Sequence, residues 1–123
     1  MGKRSRRRAS GVARLEKLLA PTSDYTDADG NVLSLRGSLS PATRREYAQA
    51  FAGNRLSQED AWQRAVELLF ERLAVRWTIA GVPIDRQREL LLRFRAAGAE
   101  ERAWIRTALR EHCAEHFPDV QAP

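Results

Sequence analysis

His112 and His116 are the only histidines in the chain, and they stand four residues apart. On an α-helix that spacing puts both imidazoles on one face, an arrangement that presents two nitrogens to a zinc ion. Cys113, the only thiol, points about 100° away from His112 on the helical wheel, so the same helix cannot easily add it as a third ligand. Both imidazoles also fall between Ile105 and Leu109, inside the apolar stripe of their helix. The spacing therefore predicts packed, hydrogen-bonded histidines, with His116 near the negative end of its helix. No metal and no cofactor is expected.

The string HCAEH also resembles the His-x-x-Glu-His pattern of inverzincin proteases. That resemblance implies a further ligand downstream. Only seven residues follow His116, none of them glutamate, and Asp119 stands too near the helix end to substitute. The string DADGN shares part of a calcium loop, with Asp27 and Asp29 at its third and fifth places and Gly30 at its sixth. Tyr25 and Arg36 then occupy the first and twelfth places, where carboxylates are required, so a turn is expected. No Ser-His-Asp set, phosphate-cradling glycine loop or dinucleotide fingerprint is visible, and catalytic residues are not expected.

The remaining chemistry is charge. Residues 1–17 hold Lys3, Arg4, Arg6, Arg7, Arg8, Arg14 and Lys17 against Glu16, a net of +6, whereas the whole chain carries +5. The rest of the chain is thus near neutral. A cluster of this kind suits an anionic polymer, since each phosphate neutralised releases counterions. Lys3, Arg4, Arg6, Arg7, Arg8 and Arg14 are the candidate nucleic-acid contacts. The arginine-to-lysine ratio of nineteen to two is explained by GC-rich coding, which does not explain the clustering.

Two short resemblances point the same way. LSPATRREYAQAF resembles the opening helix of the core-binding domain of tyrosine recombinases, with Ser40, Thr43, Arg44 and Tyr47 at matching positions. The family's catalytic pattern is absent, because the last tyrosine is Tyr47. The join WTIAGVPIDRQRELLLRF resembles a helix-turn-helix, which implies Arg86 and Arg88 as a second basic surface reaching base edges. It departs from that motif at Trp77, where a small residue is wanted, and at Gln87, where an apolar anchor is wanted. Neither resemblance extends over the chain.

Length bounds the elements that position these groups. At 123 residues, 43% hydrophobic and 30% charged, the chain suits one soluble domain with a tail. One cysteine excludes an internal disulfide, and no apolar run approaches the roughly 20 residues that span a bilayer. A cytoplasmic protein with no membrane insertion is expected. The organising stretch is Ser57–Gly81, which the 3.6-residue period reads as one long helix capped by Ser57 and stopped by Gly81 and Pro83. Trp62, Val66, Leu69, Leu73, Trp77 and Ala80 make its apolar arc, interrupted by Arg72 and Arg76.

Other helices are predicted over Ser10–Ala20, from Ser40-Pro41 to Gly53, from Arg86 to Gly98, and over Ala99–His116. A small hairpin or extended loop is expected at 23–36 around Asp29-Gly30. The expected fold is mainly all-α: about five helices around a central one. It comprises a disordered basic tail (1–9), a helical domain (10–118) and a short flexible C-terminus (119–123).

Two functions follow. The first is a small non-enzymatic nucleic-acid-binding or regulatory protein that uses its Arg-rich tail on phosphates. The second is a helical protein–protein interaction or assembly module, an adaptor able to self-associate. The surplus of apolar surface on the central helix and the partner surface at Arg72 and Arg76 would serve it. No small-molecule substrate is identified.

Overall fold

A computed structural model describes residues 21–52 and 58–123, with side-chain placement from 21–50 and 58–123. The chain opens with strands β1 (Thr22–Thr26) and β2 (Val32–Arg36), followed by helices α1 (Pro41–Ala52) and α2 (Gln58–Leu73). The same order then recurs, as strands β3 (Ala74–Ile79) and β4 (Val82–Ile84) and helices α3 (Gln87–Arg95) and α4 (Ala99–His116). The strands form one antiparallel sheet in the order β1-β2-β3-β4. The predicted front helix over 10–20 and the tail over 1–9 lie outside the described residues.

The all-α expectation is overturned. Four helices and a four-stranded sheet make up the described fold, and the long central helix does not exist. Its pattern is helical only to Leu73. From Ala74 onward Val75, Trp77 and Ile79 alternate with Arg76 and Thr78, a period of two in β-branched and aromatic residues. The strand also has a partner waiting. A two-stranded hairpin is marginal alone, so β2 requires a further strand to cover its apolar side. β3 supplies it, with Leu33 opposite Trp77 and Leu35 opposite Ala74. Val75 is bulged out where the register shifts between Ser34 and Leu35.

The turns follow from local chemistry. Asp27 Oδ1 accepts the backbone N–H groups of Asp29 and Asn31, each at 2.9 Å, and Gly30 takes a left-handed φ of 82°. The acidic string is thereby a hairpin turn whose carboxylate is consumed by its own backbone. Between β3 and β4 a two-residue loop, Ala80-Gly81, has φ of 51° and 79°, the pair of positive values that a type I′ hairpin demands. Ser40 caps α1 by accepting the Thr43 N–H at 3.1 Å, and Pro41 holds the first helical position.

The helices cover one face of the sheet. Leu33, Leu35, Ala74 and Trp77 meet Leu69, Phe70 and Leu73 of α2, Leu90 and Phe94 of α3, and Ile105, Leu109 and Cys113 of α4 in one buried core. Phe70 lies at its centre, stacked on Phe94 at 4.7 Å and edge-on to Trp77 at 5.8 Å. Arg93 closes over the Trp77 ring at 5.0 Å. Beyond α4 the chain turns back over α1. Val120 is buried, Asp119 pairs with Arg44 at 2.8 Å, and the Tyr47 hydroxyl donates to the Gln121 carbonyl.

Candidate functional site

The histidines of α4 sit against the edge strand β1. Ser23 and Tyr25 are two apart on that strand, so both side chains point to the same face. His112 is fully buried, and its Nε2–H donates to the Arg36 carbonyl at 2.7 Å. That bond leaves Nδ1 as the acceptor for the Tyr25 hydroxyl at 2.8 Å. His116 Nε2 and Ser23 Oγ form the second link at 3.2 Å, and the two imidazoles lie 4.4 Å apart between ring centres.

Gly37 makes room for this seam. Its N–H donates to the Pro21 carbonyl at 2.8 Å, and a Cβ there would stand 3.2 Å from that oxygen and 3.6 Å from His116 Nδ1. A Cβ at position 37 would press on the Pro21 carbonyl and meet His116 at ordinary contact distance.

Burial sets the electrostatics. Desolvation holds the His112 pKa below its ordinary value, and the nearby His116 adds to that depression, while the bond to Arg36 and the charge of Glu115 oppose it. The Tyr25 hydroxyl is pushed up, chiefly by burial and then by Glu115 and Glu111. The Cys113 thiol is pushed up to about 11 by burial alone. His112 is thus a neutral group with both nitrogens engaged, which gives it neither a free base for catalysis nor a free lone pair for a metal. Among the described residues no group of three His, Cys, Asp or Glu side chains is placed to hold a metal ion. Ser23 and His116 are within reach of a nucleophile–base contact, yet no described carboxylate bonds to His116 to orient it. The four side chains therefore join β1 to α4.

The predicted basic residues that fall within the described structure lie at separate places. Lys3, Arg4, Arg6, Arg7, Arg8 and Arg14 lie outside the described residues. Arg86 and Arg88 are both exposed at the start of α3, with exposed Asp85 and Glu89 beside them in the chain. The stretch before them is the β3–β4 hairpin, so the helix-turn-helix expectation is corrected: the motif's first helix is absent. Arg72 and Arg76 do not share a surface of one helix. Arg72 ends α2 and pairs with Glu46 of α1 at 3.0 Å, whereas Arg76 is exposed on β3, level with Ser34 and Asp24 in the cross-strand row.

A second constellation had no signal beyond the i, i+4 spacing of Arg102 and Arg106. A groove of about 230 Å³ runs between α2, α3 and α4, with Val66, Phe94, Ala99 and Ala103 among its walls and Arg95, Arg102 and Arg106 around them. Arg95 donates twice to Glu67 Oε1, from Nε at 2.9 Å and from a terminal nitrogen at 2.5 Å. Arg102 donates to the Arg95 carbonyl at 2.8 Å and lies over Phe94. Arg106 lies over Trp62, and its buried Nε has no hydrogen-bond partner.

No family model matches the sequence, and neither a curated protein nor a solved structure matches the chain.

Proposed function

We propose that this chain is a small non-enzymatic nucleic-acid-binding or regulatory protein of the cytoplasm, in which the Arg-rich front segment contacts phosphates and the mixed helix-and-sheet body carries that segment. The carrying observation is the division of charge. The described residues hold thirteen arginines and no lysine against fifteen carboxylates, a net of −2, while residues 1–17 hold +6. Within the body Arg44, Arg72, Arg93 and Arg95 are each committed to a carboxylate. The net positive charge is that of the front segment, and Arg76, Arg86 and Arg88 are among the exposed arginines of the body that add to it.

The outer row of the sheet, Asp24, Ser34 and Arg76, and its neighbours Thr26, Val32, Thr78 and Pro83, offers no aromatic ring on which a base could stack. This favours backbone contact without sequence preference over readout of splayed bases. The competing idea, a protein-interaction module, rested on surplus apolar surface in residues 57–81. Leu69, Phe70, Leu73 and Trp77 are all at most 1% exposed, so these four residues of the stretch serve the core, which supports the first reading.

Binding of the full chain and of a form lacking residues 1–9 to a random duplex, each at two salt concentrations, tests the proposal. The full chain should bind with a steep inverse salt dependence, and the truncated form should lose most of that affinity and flatten the slope. Equal affinity of the two forms would overturn it.

A further inference from the structure

The geometry points to the groove between α2, α3 and α4 as a binding site for a small organic anion: an apolar body carrying one carboxylate or phosphate head. The site is local positive charge on a body whose described residues net −2. Three guanidiniums line one groove and only Glu67 opposes them there, which leaves the groove at +2. Glu101, in the first turn of α4, is already bound to Arg93 at 2.7 Å.

The three arginines are not equivalent. Arg95 is taken up by Glu67, and Arg102 spends one terminal nitrogen on the end of α3. Arg106 has no carboxylate partner among the described residues. Its Nε is removed from solvent without a partner, the condition under which a polar group costs most. Trp62 beneath it fixes the guanidinium plane, and Phe94 does the same for Arg102. Two oriented guanidiniums with donors to spare are the natural receptor for a planar or tetrahedral anion.

The walls set the rest of the ligand. Val66, Phe94, Ala99 and Ala103 make the walls mainly apolar, with the Gln63 amide as their one neutral hydrogen-bonding side chain, so the body of the ligand is mainly apolar. A volume of about 230 Å³ lies just below the usual range for small-molecule pockets, which suits one ring or a short chain rather than a polymer. The start of α4 reaches the same groove through Ala99, with Glu100 and Glu101 in its first turn offsetting the positive helix end, so the arginines carry the charge of the site. This site is independent of the front segment and of the nucleic-acid proposal.

Titration of the isotope-labelled full chain with benzoate, phenyl phosphate and neutral benzyl alcohol, followed by residue-resolved NMR, tests it. Benzoate, phenyl phosphate or both should give saturable shifts at Ala103, Arg102 and the Arg106 Nε–H, at concentrations of about 10 mM or below. Saturation by only one of the two assigns the head group. Arg106→Gln should weaken binding by about tenfold or more, and Arg102→Gln, at an exposed position with little risk to folding, should weaken it in the same direction. Equal shifts with benzyl alcohol, shifts confined to residues 1–17, or unchanged binding in both variants would each overturn the site.

Discussion

Tyr25 and His112 are 87 residues apart in the chain, and the hydroxyl of one stands 2.8 Å from Nδ1 of the other. The direction of that bond is set from the far side of the ring, where Nε2–H is already donated to the Arg36 carbonyl. One imidazole thus ties the edge strand β1, the end of β2 and helix α4 together. Tyr25→Phe removes a donor at the half-buried edge and should cost about 1 kcal/mol. His112→Leu leaves both the Arg36 carbonyl and the Tyr25 hydroxyl without their partner and should cost about 3 kcal/mol. In urea denaturation the double variant should cost less than the sum of the two. Strict additivity would show that the bond carries no energy of its own.

The same histidine gives a pH dependence with a definite sign. Its pKa in the folded chain is held below the unfolded value of 6.5, so below that pH the unfolded state binds more protons. Stability is therefore full above pH 6.5 and is lost as the pH falls through the depressed folded value, with a limiting slope of about 1.4 kcal/mol per pH unit. His112→Gln keeps a donor and an acceptor in similar places and does not titrate. Urea midpoints between pH 5 and pH 7.5 should fall with acid in the natural chain, and this dependence should be shallower in the Gln variant. Parallel profiles would assign the acid sensitivity to other groups.

How much of this was legible in the sequence turns on residues 73–82. Leu73 and Trp77 are four apart, and Val66, Leu69 and Leu73 lead up to them at helical spacing, so a wheel drawn through the stretch stays apolar past the true end of α2. The alternation of Val75, Trp77 and Ile79 carried the opposite message, but over only six residues it competes weakly with sixteen helical ones. What decides between them is not local. β2 presents Leu33 and Leu35 to the core and needs a neighbour, and only the tertiary fold shows that Ala74–Ile79 is the segment that reaches it.

The seam on α4 was half legible for the same reason. The wheel placed His112 and His116 toward the core, but Ser23 and Tyr25 could be assigned to them only once β1 was seen to lie along α4. The arginine groove was less legible still, since it draws residues from α2, α3 and α4 and depends on how those helices cross.

The β3–β4 turn offers a stabilising change. Ala80 holds a φ of 51°, a left-handed value that a Cβ disfavours by about 1 kcal/mol, and its N–H is anchored on Asn31 Oδ1 at 3.0 Å. Asparagine tolerates that conformation, and Asn-Gly is the preferred pair for this turn. Ala80→Asn should raise stability by about 0.5 kcal/mol, measured as a higher urea midpoint with an unchanged slope. Gly81→Ala should lower stability by about 1 kcal/mol, because φ there is 79° while a Cβ would meet nothing within 4 Å. Its cost would be one of backbone conformation alone. A destabilised Asn variant would mean that the strands, not the turn, dictate the backbone at position 80.

Cys113 gives a probe of opening that needs no variant. It is 1% exposed among Leu109, Phe117 and the rest of the core, and burial pushes its thiol up to about 11. At pH 8 the native thiolate fraction is then about one in a thousand, and the little that forms is shielded from reagent. A disulfide-exchange reagent should therefore react only through unfolding or a local opening that frees the end of α4 from β1. If that opening requires the seam to part, Tyr25→Phe should speed labelling by about the same factor as its loss of stability, roughly fivefold for 1 kcal/mol. Labelling at the rate of a free thiol in the natural chain would place Cys113 in contact with solvent and contradict the packing of α4. A rate that does not change in Tyr25→Phe, in a chain otherwise slow to label, would mean that Cys113 is reached by a path that leaves β1 in place.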